Sequence, residues 1–172
     1  HGQATGIFTC DEHYAGKNPS QGTELCTVVE YMFSMETLLS ILGNPEFGDR
    51  LERIAFNNLP ATFKPDMWAH QFDQQANQVL CTAAAPALFT LNPPGSNTFG
   101  LEPCYGCCTA NMHQGWPKFT SHLWMRKGDD GLAAVAYAPC TVTADLQGVP
   151  VRIDLKTDYP FDDKLSFTVK TR

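Results

Sequence analysis

The stretch TELCTVVEYMFSMETLLSILGNPE, residues 23–46, decides the fold class of this chain. Its apolar residues recur at steps of three and four, which predicts an amphipathic helix that begins near Thr23 and stops at Gly43. We expect Thr23 to cap this helix and Glu24 to lie in its first turn, where the helix dipole favours an anion. The predicted buried face consists of Leu25, Val28, Val29, Met32, Phe33, Leu39 and Leu42.

A second helix follows almost at once. Asn44, Pro45 and Glu46 stand in the order of a cap, a first-position proline and a first-turn acid, so this helix begins there and runs to about Asn58. Its predicted buried side consists of Leu51, Ile54, Ala55 and Leu59. Two successive helices with a two-residue break form a helical hairpin, which is a unit of an all-α layer.

After the two helices, the sequence pattern changes twice along the chain. Prolines interrupt residues 60–100, where only residues 67–72 and 79–82 suit short strands or extended pieces. Residues 109–114 are compatible with a short helix. After residue 120 the apolar residues alternate, which predicts a set of half-buried strands: 122–126 and 132–138 around a turn at 128–131, then 149–155 and 164–170. A helical block followed by strands argues for two domains or an α+β arrangement.

Composition argues against two classes of partner. The net charge is −6 at pH 7 and the basic residues are scattered, so the chain has no basic patch for nucleic acid or an anionic membrane. No uninterrupted apolar run reaches the ~20 residues that cross a bilayer. The sequence therefore predicts neither a nucleic-acid nor a membrane partner. It is compatible with a homodimer, and it leaves cytoplasmic and secreted localisation open.

The cysteines indicate a metal or reactive site. There are seven, an odd number, at a density well below that of a disulfide scaffold. Four of them lie in two short segments, as Cys26 and as Cys104, Cys107 and Cys108. Thiolates select zinc or a related metal, and structural zinc sites close with four ligands. The alternative is that some are free buried cysteines that pack as small hydrophobes.

Three carboxylates accompany these cysteines. Glu24 offers an oxygen ligand two residues from Cys26, and the two side chains can share a metal only where the first helical turn is irregular. Asp11 and Glu12 lie in a loop beside His13, where a general acid and a solvated acidic turn are both compatible with the pattern.

The remaining candidates favour structural roles. No metal-ligand spacing relates the other histidines, which are His1, His70, His113 and His122. Aromatic residues that could stack on a sugar are more often part of the core; here they are Trp68, Trp116 and Trp124.

Three segments resemble glycoside hydrolase family 127, the β-L-arabinofuranosidase-like proteins. They are TCDEH at 9–13, QGTELC at 21–26 and CCTANMHQGWPKF at 107–119. The family has an (α/α)6 barrel catalytic domain followed by β-sandwich modules. The resemblance therefore implies the C-terminal part of an all-α (α/α)6 barrel in residues 1–120 and the first strands of a β-sandwich domain in 121–172. The chain would then be an internal fragment, with most of the barrel upstream of His1.

The resemblance also implies the site residues. The zinc of the family is held by one glutamate and three cysteines, which correspond here to Glu24, Cys26, Cys107 and Cys108. Cys107 is the implied nucleophile and Glu12 the implied acid/base, with the adjacent Asp11 as the alternative. If Cys104 instead replaces Glu24 on the metal, the site is all-sulfur and could be structural.

These roles imply a retaining glycoside hydrolase that releases terminal β-L-arabinofuranosyl residues from an oligosaccharide or glycoconjugate. A thiolate attacks the anomeric carbon while the acid/base serves the leaving oxygen and then water. The isolated 172-residue piece is expected to be inactive, because an incomplete barrel cannot form the sugar pocket. The alternative function is a structural zinc-binding or carbohydrate-binding domain without catalysis.

Overall fold

The computed structural model describes residues 3–12, 14, 21–83, 90, 92–100 and 106–171. The chain divides into two compact units, His1–Phe119 and Thr120–Arg172. Within the described residues, helices dominate the first unit and antiparallel strands make up the second. The predicted order of a helical block followed by a strand block is therefore present.

Helix α1 spans Leu25–Leu42 and ends at Gly43, whose left-handed conformation (φ +64°) allows its N–H to bond the carbonyl of Leu39. The predicted cap at Thr23 is wrong. Thr23 and Glu24 form a short strand, β1, and the Thr23 hydroxyl donates to the carbonyl of Phe8 instead.

The buried stripe of α1 differs from the prediction at its distal end. It follows positions one turn apart: Leu25, Val28, Val29, Met32, Met35 and Glu36. Phe33 and Leu42 fall outside this stripe and are 38% and 62% exposed. By length and composition alone (mean hydropathy 1.4), α1 would also qualify as a membrane-spanning helix. This is weak evidence, since a core helix of a globular domain has the same properties and 39% of α1 is buried inside the unit.

Helix α2 spans Pro45–Phe56, and a short helix α3, Asn58–Ala61, follows it. The Asn44 side chain accepts a hydrogen bond from the Glu46 N–H at 3.1 Å, as the predicted cap requires. All four residues predicted to be buried are at most 1% exposed, namely Leu51, Ile54, Ala55 and Leu59.

Helix α4 spans Gly106–Ser121 and is much longer than the six residues predicted, because it continues through Pro117. A proline removes one helical hydrogen bond, and here packing offsets that loss. A Cβ atom on Gly115 would lie 3.1 Å from Leu59, so α4 passes very close to the core beside α3. The Phe119 ring also packs edge-on against Phe56, at 5.9 Å between centroids.

The irregular middle of the chain contains one short strand, β2 (Asp73–Gln74), which pairs antiparallel with β1. Isolated bridges join His70 to Phe63 on one side and to Gly100 on the other. The extended character predicted for residues 67–72 is thus confined to its last residues, and no strand forms at the described residues 79–82.

The second unit contains two small sheets. Strands β3 (Trp124–Lys127) and β4 (Gly131–Ala134) form the predicted hairpin. The other sheet has the order β5-β6-β7, with bounds Cys140–Leu146, Val149–Thr157 and Leu165–Thr171. Strand β5 was not predicted. A two-residue turn joins it to β6, in which Gln147 and Gly148 both have positive φ.

Candidate metal centre

Extended segments on both sides hold Glu24 in place just before α1. Cys10 pairs in parallel with Thr23, and the Glu24 N–H donates to the Cys10 carbonyl at 2.9 Å. On the opposite side Glu24 is in register with Asp73 of β2. Glu24 consequently has an extended conformation (φ −75°, ψ 151°) and lies outside the helical turn predicted for it. The irregular start required for Glu24 and Cys26 to approach one metal is therefore present.

Three cysteine sulfurs meet where α1 and α4 begin. The Sγ atoms of Cys26, Cys107 and Cys108 all lie within 4.8 Å of one another, and those of Cys26 and Cys108 are 3.2 Å apart. A tetrahedral zinc with Zn–S bonds of ~2.3 Å separates its sulfurs by about 3.8 Å. The spacing and softness of these donors therefore fit a thiophilic metal. All the described cysteines are free thiols.

The sulfurs differ in their access to solvent. Cys26 and Cys108 are buried, whereas Cys107, in the same turn of α4 as Cys108, is exposed. The arrangement thus has a closed side made of two sulfurs and an open side made of one.

The Glu24 carboxyl group shares a hydrogen bond with the Cys26 thiol, so an oxygen donor adjoins the sulfur cluster. The pKa of Glu24 is raised to about 7. Burial is the largest cause, and the negative charges of Cys26 and Glu12 add to it. The site gathers anionic groups in a partly desolvated place, which is the electrostatic condition that a bound cation relieves.

The buried thiols share one negative charge between them. A hydrogen bond from Cys108 is the largest cause that lowers the pKa of Cys26, to about 6. The same bond raises the pKa of Cys108 far above its usual range, and partial desolvation raises the pKa of Cys107. The metal-free cluster therefore favours a single thiolate on Cys26, held by its neighbours.

Asn111 is a site residue that the sequence reading missed. It makes a hydrogen bond to Cys26 that also lowers the pKa of that thiol. The Gln114 amide donates to the Asn111 Oδ1 atom at 2.9 Å, which leaves the Asn111 NH2 group to face the sulfur. The signal was present, because Asn111 follows Cys107 by four residues and Cys108 by three, on the same face of one helix.

The two acids of the first loop have different surroundings. Glu12 is exposed, has a positive φ of 64°, and donates its backbone N–H to the Glu24 carboxylate. Asp11 is only 2% exposed and accepts a short hydrogen bond from the side chain of Asn92. The structure thus brings Glu12 beside Glu24 and directs Asp11 into the interior.

The interior acids form a second layer behind Glu24. Asp73 is fully buried, and burial followed by the charge of Asp11 raises its pKa to about 8, which the Thr90 hydroxyl partly opposes. The Asp73 carboxylate lies so close to Gly22 that no side chain fits there. Three other residues considered from the sequence lie outside the described residues, namely His1, His13 and Cys104.

Among the described residues, the remaining histidine candidates are not part of this cluster. Trp116 and Trp124 pack edge-on against phenylalanine rings at 6.0 and 6.3 Å. Trp68 is exposed, and His70 is buried.

Comparison with solved structures shows the fold. A GH127 β-L-arabinofuranosidase from Geobacillus stearothermophilus T6 matches with a TM-score of 0.72 and 16% identity, over 90% of this chain and 24% of its own. A structure described as a glycoside hydrolase matches with 0.69 and 17%, over 86% and 23%. A second GH127 β-arabinofuranosidase matches with 0.71 and 14%, over 98% and 25%.

The chain spans about a quarter of the length of these solved structures. No protein-family model matches the sequence, and no curated protein matches it. The predicted resemblance to family 127 is confirmed at the level of the fold.

Proposed function

We propose that this chain carries the metal and nucleophile segment of a retaining glycoside hydrolase that releases terminal β-L-arabinofuranosyl residues. One observation carries the proposal: of the three sulfurs brought together, only Cys107 is open to solvent. The fold likeness to glycoside hydrolases supports the same conclusion. The finer architecture, the end of an (α/α)6 barrel in 1–120 and the start of a β-sandwich in 121–172, belongs to this proposal.

The residues that would hold the metal are Glu24, Cys26, Cys107 and Cys108. Zinc bound there would supply positive charge that keeps the sulfurs deprotonated at neutral pH. The soft sulfur donors support zinc over the hard cations that prefer oxygen.

The chain's own residues would then divide the chemistry. The Cys107 sulfur attacks the anomeric carbon, so that a carbon–sulfur bond forms as the glycosidic carbon–oxygen bond breaks. Glu12 gives its proton to the departing oxygen. In the second half Glu12 takes a proton from water, whose oxygen replaces the sulfur on the same carbon. Two inversions at one centre give net retention.

The surroundings of the two loop acids support Glu12 over Asp11 as the acid/base. Asp11 is buried and already bound by Asn92, so it faces away from solvent. Glu12 is exposed and adjoins Glu24 through its backbone N–H. The substrate would be an arabinofuranose-containing oligosaccharide or glycoconjugate; the absence of nucleic-acid and membrane partners and a homodimeric state remain proposals.

The second candidate function is a structural zinc-binding or carbohydrate-binding domain without catalysis. The burial of Cys26 and Cys108 favours it, since closed structural sites bury their sulfurs. Zinc binding that is accompanied by no release of sugar would support this alternative.

The test uses the full-length protein and a series of aryl β-L-arabinofuranosides with leaving groups of increasing pKa. Hydrolysis followed by NMR should show the β-anomer first, because the mechanism retains configuration. The isolated 172-residue chain should be inactive.

Glu12→Ala should lose far more activity on poor leaving groups than on activated ones, since only the poor ones need a proton. Asp11→Ala serves as the matched neighbour and should not change with the leaving group. Equal losses for Glu12→Ala across the whole series would remove Glu12 as the acid.

A further inference from the structure

We infer that His70 is a positioning residue for the cysteine turn of α4, and that it acts through the hydroxyl of Thr109. The inference rests on the proposed metal site, and it assigns a role to a histidine that has no metal-ligand spacing with any other.

The backbone and both ring nitrogens of His70 make hydrogen bonds to neighbouring residues. It is 1% exposed, and its backbone exchanges hydrogen bonds with Gly100 at 3.3 and 3.1 Å. Its Nδ1 atom lies 3.1 Å from the Gln71 carbonyl oxygen. A carbonyl only accepts, so Nδ1 carries a proton, and in the neutral ring Nε2 is then an acceptor. The ring is therefore fixed in orientation and presents one acceptor.

That acceptor is used by α4. The Thr109 hydroxyl lies 3.0 Å from Nε2, and it donates the hydrogen bond. Thr109 directly follows Cys108 and is two residues from Cys107. The first turn of a helix has no helical partners for its N–H groups and tends to fray. A hydrogen-bonded anchor within this turn restricts where both sulfurs can lie.

The anchor is independent of the sulfur contacts themselves. It ties α4 to the extended segment that contains His70, which is bridged to Phe63 and Gly100, whereas Cys26 belongs to α1. Residues that orient metal ligands without touching the metal commonly change affinity by 10–100-fold when removed. The hydrogen bond should therefore contribute to metal affinity beyond any effect on folding.

The experiment measures metal binding by the full-length protein after chelation. Cobalt(II) reports thiolate ligation through its charge-transfer absorbance, and competition with a chromophoric chelator gives the zinc affinity. Thr109→Val removes the hydroxyl at nearly constant shape, and Thr109→Ser keeps it. Thr62→Val is the control, because it makes the same substitution at a buried threonine whose hydroxyl donates to the Leu59 carbonyl at 2.6 Å, away from the cysteine turn.

We expect Thr109→Val to weaken zinc binding by about 10–100-fold, with Thr109→Ser restoring it and Thr62→Val leaving it unchanged. A wild-type protein without the cobalt–thiolate band would overturn the metal site and this inference with it. A normal band in the wild type, with Thr109→Val binding zinc as tightly as Thr62→Val, overturns only the role of His70.

Discussion

One aspartate in each unit has a strongly shifted pKa, and the two shifts have opposite directions. In the first unit Asp73 is fully buried, and burial raises its pKa to about 8. In the second, Asp154 lies on the outside of β6, and hydrogen bonds from Arg152 and Thr141 lower its pKa to about 2. A folded chain keeps a poorly neutralised buried acid at a cost in stability, most often at a functional site. The contrast supports the proposal that the functional site lies in the first unit.

The cysteines repeat this contrast. In the first unit three thiols lie within 4.8 Å of one another, and the hydrogen bond between two of them lowers the pKa of Cys26 to about 6 and raises that of Cys108. Cys140 of the second unit is half-buried, and its sulfur accepts only a weak hydrogen bond from the indole of Trp124 at 3.3 Å. It fills space in the manner of a small apolar residue.

The largest expected effect tests the difference between the cysteines of the two units. Cys107→Ser in the full-length protein should lower the turnover of an aryl arabinofuranoside about a thousandfold or more, as loss of a catalytic nucleophile does. The physical reason is that a serine hydroxyl has too high a pKa to replace the thiolate.

Cys140→Ser is the control and should leave turnover unchanged, because Cys140 is outside the site. Wild-type turnover by Cys107→Ser would show that the open sulfur is not the nucleophile.

The carboxylate contrast predicts a difference in pH dependence. Asp73 titrates near 8 in the folded state against an ordinary value of 3.8, so the folded state binds more protons between these values. The stability of the metal-free protein should therefore fall as the pH rises from about 4 through 8. Glu24, with its pKa raised to about 7, acts in the same direction, whereas Cys26, with its pKa lowered from 9.0 to about 6, acts in the opposite direction above pH 6.

Thermal midpoints measured in chelator between pH 5 and 8.5 would test this expectation. Asp73→Asn should make the fall in stability smaller across this range, leaving the opposed contributions of Glu24 and Cys26. Asp154→Asn should not alter it, because the lowered pKa of Asp154 places its effect at acid pH. An unchanged slope in Asp73→Asn would mean that this acid does not titrate in the window.

The smallest expected effect concerns packing beneath the site. Gly115→Ala should destabilise the first unit by about 1–3 kcal/mol from overpacking, less the ~1 kcal/mol gained from helix propensity. Its Cβ would lie 3.1 Å from Leu59, which is fully buried and has little room to move.

Gly106→Ala in the same helix is the control, since a Cβ there meets no atom within 4 Å. Urea unfolding midpoints measure both variants. Equal midpoints would show that α4 can shift away from the core without loss.

Local signals in the sequence predicted much of the first unit. Gly43, Asn44 and Pro45 act through their own backbone and nearest neighbours, so the end of α1 and the start of α2 follow from them. Glu24 could not be placed this way. Its extended conformation comes from pairing with Cys10 and Asp73, which is a tertiary effect.

Two elements extend beyond what the local sequence predicted. Helix α4 was predicted only over 109–114, yet it continues past Pro117, where the close packing of Gly115 against the core supports it. The turn at Gln147 and Gly148 lacks the Asn-Gly or Asp-Gly pair that usually marks such a hairpin in sequence, so β5 was not predicted.

The candidate site likewise has one part that the sequence predicted and another that it did not. Cysteine types and spacing were enough to expect a metal, because ligand chemistry resides in the residues themselves. The residues that orient these ligands could be recognised only from the three-dimensional structure. His70 lies thirty-nine positions from Thr109, and nothing in either local sequence relates them.

The contact between Gly22 and Asp73 has a consequence for how this chain can vary. The Asp73 carboxylate occupies the space where a side chain at position 22 would begin. This acid and a side chain at 22 therefore cannot both be accommodated. A larger residue at 22 becomes tolerable only after the acid at 73 has been replaced by something smaller. Across related sequences these two positions should therefore change together, and a glycine paired with a distant aspartate would mark chains that retain this acidic layer.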